Sequence, residues 1–283
     1  MPATVISGRK LSKQIREELK EKVVQLNAKY GDVPKLVVVL VGDDPASISY
    51  VTAKEKGAKY VGFDSELIRK PESISEEELL SLIDELNNDE SVNGILVQLP
   101  LPKHIDVDKV IDRIALAKDV DGFHPENVGN LHVGRPALLP CTPKGIITMI
   151  KSAGLNISGM NAVIVGRSNL VGKPAAMLLM NENATVTITH SRTKDLASHT
   201  KNADILVAAI GRAKFITADM VKPGAIVIDV GVNKVDGKLC GDVDYEPISE
   251  IAGFITPVPG GVGPMTITSL LENTLEAFIN QKK

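Results

Sequence analysis

Residues 36–41 read LVVVLV, an unbroken apolar run dominated by β-branched valine. A run without polar alternation suits a strand buried on both faces, and such strands belong to parallel sheets covered by helices on each side. Gly42-Asp43-Asp44-Pro45 stops the run, and residues 47–61 then carry a helical pattern. A second strand is expected over 64–69 and a helix over 75–86, opened by a capping box of Ser75 and Glu78. A third strand over 94–98 ends before Pro100 and Pro102. This β-α-β-α-β order predicts a parallel sheet with covering helices.

Residues 119–143 change texture, with Gly, Pro, Asn and His scattered through few periodic positions, as in a functional loop region and a crossing between domains. A linking helix over 143–153 leads into a second alternating series. Strands are expected over 162–165, 185–189, 205–209 and 225–230, a helix over 171–180 and a last helix over 268–280. At 283 residues the expectation is two α/β domains, since single cores seldom grow beyond this size.

Composition narrows the function classes. A formal net charge of −3 argues against a broad grip on nucleic acid or an anionic membrane. Tryptophan is absent and aromatics make up 3% of residues, so stacking platforms for single strands are not expected. Cys141 and Cys240 lie far apart and outside any Cys-x-x-Cys, and the five histidines lack His-x-x-x-His spacing. Neither a disulfide framework nor a metal site is expected. With no secretory start and no membrane-length apolar stretch, a cytoplasmic location is expected.

The second series holds a nucleotide-binding signature. Gly166-Arg167-Ser168-Asn169-Leu170-Val171-Gly172 joins an apolar strand to an apolar helix. Glycine at the strand end permits a tight turn, and glycine at 172 permits close backbone approach. Free amides and the positive end of the helix dipole would then face a pyrophosphate. The spacing departs from Gly-x-Gly-x-x-Gly, and such a turn also suits a βα unit that packs without ligand. The next strand ends in His190-Ser191-Arg192-Thr193, without the carboxylate that commonly binds a ribose 2′-hydroxyl. Hydroxyls and the forked donors of Arg192, with Arg167 nearby in the pattern, favour a 2′-phosphate, and hence NADP over NAD.

In the first series Ser47, Tyr50, Val51 and Lys54 share one helix face, which sets a phenol beside an ammonium. An amphipathic helix with an exposed lysine has the same spacing. Short-chain dehydrogenases also use Tyr-x-x-x-Lys, but there the glycine-rich turn comes first and within one domain; here the order is reversed.

Four motifs in order settle the comparison: Tyr50 to Lys54, Val97-Gln98-Leu99-Pro100-Leu101-Pro102, Lys118-Asp119-Val120-Asp121-Gly122-Phe123-His124-Pro125, and Pro257-Val258-Pro259-Gly260-Gly261-Val262-Gly263-Pro264-Met265-Thr266. With the Gly166 turn between them, the chain resembles the bifunctional methylenetetrahydrofolate dehydrogenase/cyclohydrolase family over nearly its whole length. The resemblance implies an N-terminal catalytic, folate-binding domain over 1–142, to which 268–283 return, and a Rossmann-like NADP-binding domain over 143–267, with a cleft between. It implies NADP-dependent oxidation of 5,10-methylenetetrahydrofolate to the 5,10-methenyl cation, hydrolysis of that cation to 10-formyltetrahydrofolate, and a homodimer.

By the same resemblance Lys54 is the catalytic lysine, Tyr50 its neighbour over the folate, Gln98 its hydrogen-bond partner and Asp121 a pterin-binding carboxylate. Leu99, Pro259, Gly260 and Gly261 complete the substrate site. Gly166, Arg167, Ser168, Ser191, Arg192 and Val232 hold the cofactor. Asn130, Leu139 and Gly57 depart from the family pattern, which touches local loop geometry rather than the reaction. Two other readings stay open at this point: a monofunctional dehydrogenase, against which Lys54 and Gln98 argue, and a non-catalytic NADP-binding regulator.

Overall fold

The structure is a computed structural model and describes residues 2–283. In chain order its elements are β1 (Thr4–Val5), α1 (Gly8–Tyr30), β2 (Lys35–Val41), α2 (Pro45–Val61), β3 (Asp64–Lys70), α3 (Glu76–Asn88) and β4 (Gly94–Val97). Next come α4 (Val107–Arg113), α5 (Pro125–His132), α6 (Cys141–Ser152), β5 (Asn161–Val165), α7 (Gly172–Asn181), β6 (Thr185–Thr189), α8 (Leu196–Thr200) and β7 (Ile205–Ala208). The chain ends with β8 (Ile226–Asp229), β9 (Asn233–Val235), β10 (Lys238–Cys240), α9 (Tyr245–Ser249), β11 (Phe254–Ile255) and α10 (Val262–Gln281).

Two compact units result. One comprises Gln14–Cys141 and Ile267–Lys283, the other Met1–Lys13 and Thr142–Thr266. In the first, β2 lies between β3 and β4 in a parallel sheet of order β3-β2-β4. Every residue from Leu36 to Val41 is buried, because each face of β2 has its own cover. Leu36, Val38 and Leu40 pack with Leu19, Val23, Val51, Leu270 and Leu271. Val37, Val39 and Val41 pack on the other side with Leu79, Ile83 and Val110. α1 is not among the elements expected from sequence. Its apolar residues Ile15, Leu19, Val23 and Leu26 nevertheless recur at helical spacing and join the first of these clusters.

The second unit is a six-stranded parallel sheet of order β1-β11-β8-β7-β5-β6. β5 is followed by β6 on one side and, after a crossover, by β7 on the other, the strand order of a doubly wound nucleotide-binding sheet. Two expectations are corrected here. Thr4 and Val5 pair in parallel with Phe254 and Ile255, so the opening residues join this sheet rather than a domain running over 1–142. Within 119–143, residues 125–132 form α5, started by Pro125 at its first turn and by the His124 imidazole accepting from Glu126 N at 3.2 Å. Among the described residues no helix is long and apolar enough to cross a membrane, and no cluster of three His, Cys, Asp or Glu could hold a metal ion.

Candidate active site

The first constellation lies in the unit of Gln14–Cys141 and Ile267–Lys283. Asp44 caps α2 by accepting from Ser47 N at 2.8 Å, Pro45 opens the helix, and Gly62 closes it in the left-handed conformation. A start fixed in this way sets the rotation of the helix. Lys54 is turned into the unit, 6% exposed, while Tyr50 one turn earlier is 37% exposed. The Lys54 ammonium donates to Gln98 Oε1 at 3.0 Å, and Gln98 Nε2 donates to the Leu99 carbonyl at 2.6 Å. With both ends of the carboxamide engaged, Gln98 presents only its oxygen to the lysine, a neutral acceptor after the last residue of β4.

Asp121 faces the same lysine. Burial pushes its carboxyl above the usual carboxylate range; the Lys54 charge opposes that shift, Asp119 reinforces it, and a hydrogen bond from the Cys141 thiol opposes it. The loop that carries Asp121 is held from behind. Asp119, 2% exposed, accepts from Phe123 N at 3.2 Å, His124 N at 2.8 Å and Asn127 Nδ2 at 2.8 Å. The buried Asn273 of α10 donates to the carbonyls of Val120 at 2.9 Å and Leu139 at 2.8 Å. Gly122 has φ +74, and a Cβ there would meet the Leu139 carbonyl carbon, so glycine is the residue this turn tolerates. Lys118, in the same motif, does something else: its ammonium donates to the carbonyls of Leu86, Asn87 and Asp89 at 3.0, 2.8 and 2.7 Å and so closes the end of α3.

The second constellation lies in the other unit. Gly166 follows β5 at φ +126, and a Cβ on it would collide with the Ala209 carbonyl oxygen just beyond β7. A Cβ on Gly172 would collide with the Gly166 carbonyl oxygen. The two glycines thus let the turn, the start of α7 and the β7 loop come together. Ser168 Oγ accepts from Val171 N at 3.2 Å and Gly172 N at 3.3 Å, which leaves its proton for an acceptor outside the turn. Arg167, Ser191 and Arg192 are exposed, and the turn after β6 is fixed by His190 N donating to Thr193 Oγ1 at 2.9 Å. Val232 is 50% exposed beyond the end of β8. A tight turn with glycine at both ends, the Ser168 hydroxyl and the N-terminus of a ten-residue helix together suit the pyrophosphate of a dinucleotide.

Pro259, Gly260 and Gly261 also belong to this unit, in the loop before α10. The N-terminal segment braces that loop: Arg9 N donates to the Gly260 carbonyl at 2.9 Å, and Gly8 packs against the Gly261 carbonyl so closely that it admits no Cβ. The sequence gives no sign of the supporting roles of Asp119, Asn273 and Gly8. Their partners lie elsewhere in the chain or on plain backbone, and residue spacing carries no sign of either.

Residues 6–121 match the tetrahydrofolate dehydrogenase/cyclohydrolase catalytic domain, and residues 140–282 match the NAD(P)-binding domain of the same family. The bifunctional protein FolD of Exiguobacterium sp. is 61% identical over 97% of this chain and 98% of its own, and that of Listeria innocua is 60% identical over 96% of each. The crystal structure of the bifunctional enzyme FolD, methylenetetrahydrofolate dehydrogenase/cyclohydrolase, from Campylobacter jejuni superposes with a TM-score of 0.97 at 49% identity, covering 98% of this chain and 99% of that one. The Trypanosoma brucei enzyme, complexed with NADP cofactor and inhibitor, superposes at 0.96 and 39% identity over 100% and 99% of the two chains. The chain belongs to the tetrahydrofolate dehydrogenase/cyclohydrolase family.

Proposed function

We propose that this protein oxidises 5,10-methylenetetrahydrofolate to 5,10-methenyltetrahydrofolate with NADP and hydrolyses the product to 10-formyltetrahydrofolate. The observation that carries the reading is the buried Lys54 ammonium held 3.0 Å from Gln98 Oε1 and facing Asp121. Hydride transfer alone needs no such lysine. Water addition and ring opening need a group that takes and returns a proton, and a lysine can do so when a useful fraction is neutral. Gln98 orients the amine through its neutral carboxamide oxygen.

Asp121 accepts paired hydrogen bonds from the amino and ring N–H groups of the pterin edge. Tyr50, partly exposed one turn from the lysine, offers its ring as a wall over the folate. Leu99, Pro259, Gly260 and Gly261 supply further contacts, the glycines letting backbone close on the ligand.

NADP, when bound, accepts the hydride. Gly166 and Ser168 with the start of α7 would hold its pyrophosphate, Ser191, Arg192 and Arg167 its 2′-phosphate, and Val232 would complete the cofactor site. A homodimer working in the cytoplasm completes the reading, and sedimentation of a monomer at working concentration would remove the dimer. The enzyme test is a paired assay on the purified chain: NADPH formation from methylenetetrahydrofolate, and loss of methenyltetrahydrofolate above its spontaneous hydrolysis. Both activities are expected. NADPH formation without accelerated hydrolysis would reduce the reading to a dehydrogenase, and neither activity would overturn it.

A further inference from the structure

Two buried carboxylates near the nucleotide turn take no part in the chemistry above. Asp229 ends β8 and is 2% exposed, and Asp242 follows β10 and is fully buried. Asp242 accepts from three successive backbone amides, Ile210 N and Gly211 N at 2.7 and 3.0 Å on Oδ2 and Arg212 N at 2.8 Å on Oδ1. Its Oδ1 also accepts from Asn233 Nδ2 at 3.0 Å. Asp229 stands behind it, accepting from Gly231 N at 3.1 Å, Asp242 N at 2.9 Å and Val243 N at 3.0 Å. Both carboxylates reach the backbone because glycine is opposite: a Cβ on Gly231 would strike the Asp242 carboxylate, and one on Gly241 would strike that of Asp229.

The amides held by Asp242 belong to the loop after β7, whose Ala209 carbonyl packs against Gly166. That places the loop at the carboxyl ends of β5 and β7, where the strand order reverses and where open α/β sheets bind dinucleotides. Through Asn233 the same carboxylate fixes the segment that carries Val232. Asp242 therefore ties the loop after β7 to the start of β9, directly after Val232. The loop after β7 is not regular structure, and without the carboxylate its three successive N–H groups would lose their acceptor.

We infer that Asp242 is a positioning residue for NADP, clamping the Ile210–Gly211–Arg212 turn and the Val232 segment into the wall of the dinucleotide site, with Asp229 as the strut behind it. The inference rests on the proposed use of NADP and adds residues outside the glycine turn and the 2′-phosphate site. In Asp242→Asn the side chain keeps its shape, loses the charge and turns an N–H toward an amide that already donates. In Asn233→Ala the carboxylate and its three amides stay, and only the tie to Val232 goes.

The test measures the dissociation constant of NADPH by fluorescence titration, the KM for NADP, and methenyltetrahydrofolate hydrolysis in the same preparations. Asp242→Asn should weaken NADPH binding by about tenfold or more, and Asn233→Ala by about threefold. Hydrolysis should change by less than about twofold in each, because neither substitution touches Lys54, Gln98 or their shared hydrogen bond. Unchanged NADPH affinity in a folded Asp242→Asn overturns the inference, as does a fall in hydrolysis equal to the fall in affinity. If Asp242→Asn does not fold, unchanged affinity in Asn233→Ala overturns it alone. A wild-type protein that binds no NADPH would instead sink the proposed cofactor itself, a result distinct from either.

Discussion

Lys118 sits in the most distinctive motif of the chain, yet its ammonium closes a helix. Asn87 and Asp89 stand at the end of α3, and the carbonyls there have no intrahelical partner. Lys118 reaches three of them, at 3.0, 2.8 and 2.7 Å, from a position 8% exposed. Burial pulls its pKa below the ordinary lysine value, with Asp89 and Glu90 opposing, so part of the hydrogen-bond energy is offset by desolvation. Each bond to a charged donor is worth about 1.5 kcal/mol or more, and a buried carbonyl left without a partner costs about 1–3 kcal/mol. Partial access of water to the freed carbonyls brings the expectation for Lys118→Met to about 3 kcal/mol. The methionine keeps the apolar stem, so the loss isolates the ammonium. Urea unfolding followed by circular dichroism reads the change, and the KM values of the folded variant should stay near wild type. A loss under about 0.5 kcal/mol, or a large rise in the folate KM with unchanged stability, would refute the helix-closing role.

Three further outcomes follow from the geometry. Gly172→Ala should lose dehydrogenase activity through a raised KM for NADP, since its Cβ would collide with the Gly166 carbonyl oxygen; steady-state kinetics with NADP varied reads this. Ser75→Ala should cost about 1 kcal/mol, because it removes the side chain that accepts from Glu78 N and donates to Glu78 Oε2, and a urea midpoint shift without a change in slope checks it. Burial pushes the Asp229 carboxyl from 3.8 to about 7 against the pull of its backbone partners. A group raised in the folded state contributes stability that is full below about pH 4 and is lost as pH rises through 7, by about 4 kcal/mol in all. Unfolding free energy measured from pH 5 to 8 should fall, and Asp229→Asn should flatten that slope.

What could be read from sequence was local. The LVVVLV run, the capping box at Ser75 and the glycine turn at 166 each state their structure within a few residues, and each stands where it was expected. β1 and β11 are two residues long and exist only because they pair with each other and with β8. No periodicity could announce them. The site divides the same way. Lys54 and Gln98 were legible as motif residues, whereas Asp242 holds amides some thirty positions away. An aspartate after a hairpin reads as a surface turn until the loops it joins are known. The helix within 119–143 was hidden for the opposite reason: its proline and glycine look like loop residues, although proline is at home in a first helical turn.

The central claim is that one buried lysine serves the hydrolytic step while the nucleotide site is built in the other unit. Lys54→Gln, assayed in parallel for NADPH formation and for methenyltetrahydrofolate hydrolysis, tests it most directly. The account predicts that hydrolysis falls to the spontaneous rate, with NADPH binding unchanged. Hydrolysis that persists at the wild-type rate in Lys54→Gln would contradict it.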